Sequence, residues 1–186
     1  MVDIDNVEAS SDATQHLVEL GHERIVHFAG PKYSRHSDER IAGVQKAFSR
    51  SPLIFSDENA MRVGDSFEAG YEKTLEYFSG GGFPLDGDMP TAVTCYNDLV
   101  ALGVIRVLRE QGWDVPEDVS VVGFDDLNLL NYVSPSLTTI HVPKRTMGRK
   151  AAELLLRQVQ NRAETSQRIS LDAELVVRSS TASPSR

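Results

Sequence analysis

One cysteine in 186 residues, Cys95, rules out an internal disulfide framework and fits a reducing, cytoplasmic setting better than a secreted one. Long apolar runs are missing as well, and no stretch could cross a bilayer. Met1 is followed at once by Val2-Asp3-Ile4-Asp5-Asn6, without the basic and apolar regions of a signal peptide. Positive charge is scarce. With 19 Lys and Arg against 27 Asp and Glu, the formal net charge is -8, so the chain as a whole is a poor partner for a phosphate backbone. Several enzyme signatures are absent too. No serine stands in a Gly-x-Ser-x-Gly elbow, no Gly-x-Gly-x-x-Gly fingerprint occurs, and no Lys-Ser/Thr follows Gly80-Gly81-Gly82 as a phosphate loop would require. His16, His22, His27, His36 and His141 show no metal-ligand spacing. Neither a metal, a cofactor nor an enzymatic activity is expected.

What remains is a globular composition, 40% hydrophobic and 25% charged, in which strand and helix patterns alternate. Ser10, Ser11 and Asp12 offer N-cap oxygens to a helix marked by Ala13, Leu17 and Leu20 and stopped at Gly21. Arg24 to Ala29 reads as a strand. The next helix carries Ile41, Val44 and Phe48 on its apolar face, with Ser37 or Asp38 as its cap. Met61 to Val63 is a short strand, and Tyr71, Leu75 and Phe78 mark the helix after it. Thr91 to Tyr96 is a strand closed by Asn97-Asp98, before a helix marked by Val100 or Ala101, Val104 or Ile105, and Leu108. Val119 to Phe124 follows, too short for a buried helix and right for a strand covered on both faces. Leu137 to Val142 is strand-like, Lys144 to Gln160 is one helix with a Met147, Ala151, Leu154 and Leu155 stripe, and Leu171 to Val177 is a last strand. The Ser/Thr/Pro tail should fray. The fold class is therefore α/β, an open parallel doubly wound sheet with helices on both faces.

In such sheets ligands bind beyond the carboxyl ends of the strands. Ser34 and Arg40 follow the first strand, Asp65 and Phe67 the second, Asn97 and Asp98 the third, and Asp125 the fourth. Carboxylates with an amide and a guanidinium suit a neutral polyhydroxylated ligand, whose hydroxyls donate to carboxylates and accept from Arg or Asn. Structural roles compete: Asp125 could cap a turn, and Arg40 could be a solvated helix residue. Of the pair Asn97-Asp98, Asp98 is expected to cap the helix and Asn97 to face the ligand. Cys95, inside an apolar strand, reads as a small buried residue.

The order of motifs resembles the ligand-binding core of LacI/GalR-type bacterial transcription regulators, which share the periplasmic sugar-binding-protein fold. The resemblance runs through His16-Leu17-Val18-Glu19-Leu20-Gly21-His22-Glu23-Arg24-Ile25, Gly30-Pro31 with Arg40 and Gly43, Pro90-Thr91-Ala92-Val93, Asn97-Asp98, and Ala101-Leu102-Gly103. It continues through Pro116 to Asp126, Leu137-Thr138-Thr139-Ile140, Met147-Gly148, Ala151-Ala152, and Leu175 to Thr181. It implies effector contacts at Arg40, Asn97 and Asp125, with Ser34 and His36 on the first loop and Phe67 as an aromatic wall.

It further implies a homodimer, a cytoplasmic location, and a small sugar or nucleoside effector. DNA would be bound only through a helix-turn-helix domain, to which nothing in this chain corresponds, and no membrane is involved. Residues 1–137 are expected to form the C-terminal effector-binding sub-domain. Residues 138–168 would be a crossover strand and a helix normally packed on a missing N-terminal sub-domain, and 169–186 a returning strand and tail. A solute-binding protein of a transport system is the alternative within the same fold.

Overall fold

The computed structural model describes residues 1–79, 89–160 and 168–185. Gly80-Gly81-Gly82 lies outside the described residues. The elements, in order, are β1 (Val2–Ile4), α1 (Asn6–Glu19), β2 (Ile25–Ala29), α2 (Arg35–Ser49), β3 (Ala60–Arg62), α3 (Phe67–Ser79), β4 (Ala92–Cys95) and α4 (Asp98–Glu110). There follow β5 (Ser120–Asp125), β6 (Thr138–His141), α5 (Lys144–Val159), β7 (Ile169–Leu171) and β8 (Glu174–Val176). Six strands form one sheet in the order β3-β2-β4-β5-β6-β8. The pairs from β3 to β6 are parallel, and only β8 runs antiparallel, on β6. The four strands expected to lie side by side in parallel do so.

The sheet is apolar on both faces because its strands alternate between two cores. Val26 and Phe28 of β2, Val93 and Cys95 of β4 and Val121 of β5 meet Val100, Val104, Ile105 and Leu108 of α4. Ile25, Ala92, Val122, Phe124 and Ile140 meet Ala9, Ala13 and Leu17 of α1 and Val44 and Phe48 of α2 on the other face. After β2 the chain builds β3 on one side and β4 on the other. The topological switch point therefore lies at the carboxyl ends of β2 and β4, where a crevice must open.

Several boundaries differ from the sequence expectation. α1 begins at Asn6, capped by Asp5, whose carboxylate accepts the Glu8 amide at 2.9 Å. Ser10 and Ser11 lie inside it, and the Ser10 hydroxyl donates to the Arg40 carbonyl at 2.9 Å. α2 is capped by Ser34 rather than by Ser37 or Asp38. The expected strand from Leu171 to Val177 is two short strands, β7 pairing with the unanticipated β1 and β8 closing the main sheet.

The described tail, through Ser185, is tied down rather than frayed. Buried Ser180 donates to the Val121 carbonyl at 2.6 Å and accepts the Thr138 amide at 2.8 Å. His22 Nε2 donates to the Ala182 carbonyl at 2.9 Å while its Nδ1 accepts from Thr91 at 2.9 Å. On α5, by contrast, no residue is buried, and Leu155, Leu156 and Val159 are all exposed.

Candidate functional site

Along the same sheet edge, at the carboxyl ends of β5 and β6 beside α2, a cavity of about 300 Å³ is lined by Asp3, Ile4, Asn6, His36, Arg40, Asp125, Val142, Lys144 and Met147. Three residues expected at the site, His36, Arg40 and Asp125, converge there from α2 and the end of β5. Arg40 is the most constrained. It is only 7% exposed, its Nε donates to Asn6 Oδ1 at 3.2 Å, and an NH1 proton bonds the Tyr96 carbonyl. Its guanidinium carbon lies 3.5 Å from the Phe124 ring centroid and 4.6 Å from that of Tyr96. These contacts compensate a burial that pulls its pKa down, and Asp125 is the foremost charge opposing that pull. Arg40 is thus a fixed guanidinium, not a solvated helix residue.

Asp125 ends β5 in an unusual backbone, with φ of 114° there and 54° at Asp126. Non-glycine residues enter this region at a cost and stay only where neighbours hold them. Lys144 Nζ bonds the Asp125 carbonyl, and Asp126 is gripped by Arg178 at 2.7 Å and by His141 Nδ1 at 2.8 Å. Burial raises the Asp125 carboxyl above the usual range, while Arg40, Lys144 and His36 pull it back. An acid flanked by three basic side chains and facing a cavity is well suited to accept paired hydroxyl donors.

Ser34 reaches this region at one remove. Its hydroxyl caps α2 through the Ser37 amide at 3.3 Å and meets the Tyr96 hydroxyl at 3.2 Å, beside the ring on which Arg40 rests. Asn97 does not face the cavity. Its Oδ1 accepts the Val100 amide at 2.9 Å as the N-cap of α4, and its Nδ2 donates to the Asp65 carbonyl at 2.7 Å. Asn97 thus takes the capping role expected of Asp98, which lies buried in the first turn of α4. Phe67 is elsewhere. It stacks on Tyr71 and lines a separate groove of about 640 Å³ with Leu102, Ile105, Arg106, Arg109, Glu110, Val133, Ser134 and Pro135. As the first residue of α3, it follows the face that packs on α4, away from the crevice.

Sequence reasoning missed Asp3, Asn6 and Lys144. No local pattern marks them, because they enter from β1, the start of α1 and the start of α5. Asp3, His36 and Glu39 bring their ligand atoms within 4.8 Å of one another, a spacing that could hold a cation. Arg35 pairs with both carboxylates, and His36 Nε2 lies 3.5 Å from Asp3, so these groups already partner one another.

The periplasmic binding protein-like domain matches residues 14–181. The helix-turn-helix-type transcriptional repressor CytR of Escherichia coli strain K12 is 38% identical over 180 residues, which are 97% of this chain and 51% of that protein. The chain thus spans about half the length of the curated relatives it matches. Among solved structures, the transcriptional regulator CelR in complex with cellobiose superposes with a TM-score of 0.88 at 33% identity, covering 96% of this chain and 53% of that one. A dimeric Lac repressor with a C-terminal deletion gives 0.87 at 33%, covering 98% and 64%. Among the described residues no helix is long and apolar enough to cross a membrane. The sheet order, the crevice and these likenesses agree: similar in fold to the corresponding part of LacI-family transcription regulators, the chain belongs to the periplasmic binding protein-like family.

Proposed function

We propose that this chain is the effector-sensing portion of a LacI/GalR-type regulator, taking a small polyhydroxylated molecule, a sugar or nucleoside, into the cavity at the strand carboxyl ends. The observation that carries this reading is the convergence of His36, Arg40, Lys144 and Asp125 on one cavity at the carboxyl edge of the sheet. Asp125 accepts hydroxyl hydrogens, and Arg40, held between two rings, donates to ring or hydroxyl oxygens. Ser34 and Asn97 support the loops around this pair. Effector binding would shift the population of conformers that present a DNA-binding domain lying outside this chain. CytR is a transcriptional repressor, and CelR is a transcriptional regulator that holds cellobiose, which favours this reading over a transport protein.

Self-association accompanies the reading. The groove around Phe67 is walled by Leu102, Ile105, Val133 and Pro135, an apolar patch of the kind that a second copy covers. The structurally similar Lac repressor is dimeric.

The test is calorimetric titration of monosaccharides, cellobiose and nucleosides into this chain and into the full-length protein, with and without Asp125→Ala and Arg40→Ala. Binding abolished by either substitution supports the assignment. Binding indifferent to both refutes it.

A further inference from the structure

Asp98 is buried, carries a carboxylate, and has no part in the contacts described so far. It lies on the first turn of α4, where its Oδ2 accepts the Leu127 amide at 2.8 Å and its Oδ1 accepts the Thr139 hydroxyl at 2.6 Å. It rests directly over β5. A Cβ added at Gly123 would come within 2.4 Å of Oδ1, so the missing side chain there is what admits the carboxylate. One side chain therefore joins α4, β5, β6 and the turn that presents Asp125.

We propose that Asp98 is the positioning residue of the effector site: it straps the Asp125–Asp126 turn, through the Leu127 amide, into its left-handed backbone against β6, and grips hardest when ionised. The inference rests on the reading of Asp125 as an effector contact. The physical reason is the difference between two hydrogen-bond patterns. An ionised Asp98 accepts from both Leu127 and Thr139. A protonated one keeps the amide on one oxygen as a neutral bond and turns donor to Thr139 with the other, and charge-assisted bonds are roughly twice as strong as neutral ones.

The setting makes this change accessible. Burial is the largest influence and pushes Asp98 up to about 6, against the pull of the bonds from Thr139 and Leu127. Asp125 and Asp126 face it from the turn and raise it further, while Arg40 on α2 and the Cys95 thiol at the end of β4 are also coupled to it. Asp125 is itself shifted upward, so the pH dependence of effector affinity alone would mix two carboxyls. A readout at Leu127 separates them.

The experiment follows the Leu127 amide and the Asp98 and Asp125 carboxyl carbons by NMR in the labelled chain, from about pH 4 to about pH 8. The Leu127 amide is expected to move in one step with a midpoint about 6, tracking the Asp98 carbon. Asp98→Asn, whose amide copies the protonated pattern of one acceptor and one donor, should hold Leu127 at its acid position throughout. Thr139→Val, which removes a donor to the carboxylate, should keep the step and move its midpoint upward. An Asp98 carboxyl that titrates without Leu127 following, or a step that survives in Asp98→Asn, overturns the proposal. Failure of the effector reading looks different: sugar binding indifferent to Asp125→Asn, with the Leu127 step intact.

Discussion

Gly43→Ala tests the way α1 positions Arg40. Gly43 stands in α2 where α1 crosses it, and a Cβ there would lie 2.4 Å from the Val7 carbonyl oxygen, 2.7 Å from Ser10 Cβ and 2.9 Å from the Ser11 nitrogen. Ordinary contact begins near 3.4 Å, so the two helices must part locally. Two of the three obstructing atoms are backbone and cannot swing aside. Overpacking of this kind costs about 1–3 kcal/mol, and the upper end applies when the backbone must move. The better helix propensity of alanine returns about 1 kcal/mol. The net loss is about 2 kcal/mol, or roughly 4–8 °C in Tm for a chain of this size. Moving the helices apart also strains the bond from the Ser10 hydroxyl to the Arg40 carbonyl, one turn before Gly43. Thermal and urea melts followed by circular dichroism measure the effect. A Tm equal to or above that of the parent would show that the crossing is looser than described, and that α1 does not set the place of Arg40.

Other consequences are as direct. His27 is fully enclosed and burial drives its pKa from 6.5 to about 3, worth roughly 5 kcal/mol of preference for the neutral form. A histidine depressed in the folded state stabilises above its unfolded pKa, so stability should fall as the pH drops from about 6.5 towards about 3. His27→Gln should flatten that limb in pH-dependent urea melts, and an unchanged limb would shift the cause to His16 and His22, which burial also depresses. Asn97→Ala should cost about 1 kcal/mol through the lost cap of α4, read in the same melts, whereas Asn97→Asp should recover most of it. Phe67→Ala should weaken self-association in sedimentation at micromolar concentration and leave effector affinity unchanged. Equal loss of both would place Phe67 in the effector site after all.

Most strands were legible because short runs such as Val119 to Val122, flanked by turn residues, have no other stable use than a strand buried on both faces. The sheet edge that gathers His36, Arg40 and Asp125 followed from the same alternation. What stayed hidden is tertiary. Serines 10 and 11 look like caps, but their small polar side chains serve a close helix crossing. Asn97 and Asp98 are both good cap residues, and the choice between them is made by Thr139 and Leu127, donors far along the chain. The site contributions of Asp3 and Lys144 depend on where β1 and α5 meet the crevice. The tail carries mostly small residues, yet Ser180 and Ala182 find partners at β5 and His22 that composition cannot announce.

The central claim is that the effector sits in the cavity between Arg40 and Asp125. Chemical-shift mapping of the labelled chain against cellobiose, ribose and cytidine, each raised to millimolar concentration, tests it most directly. The account predicts that at least one of these moves the amides of Asp3, Asn6, His36, Asp125 and Lys144 together, leaving those of Phe67, Leu102 and Val133 in place. Shifts gathered around Phe67, or none from any of the three ligands, would contradict it.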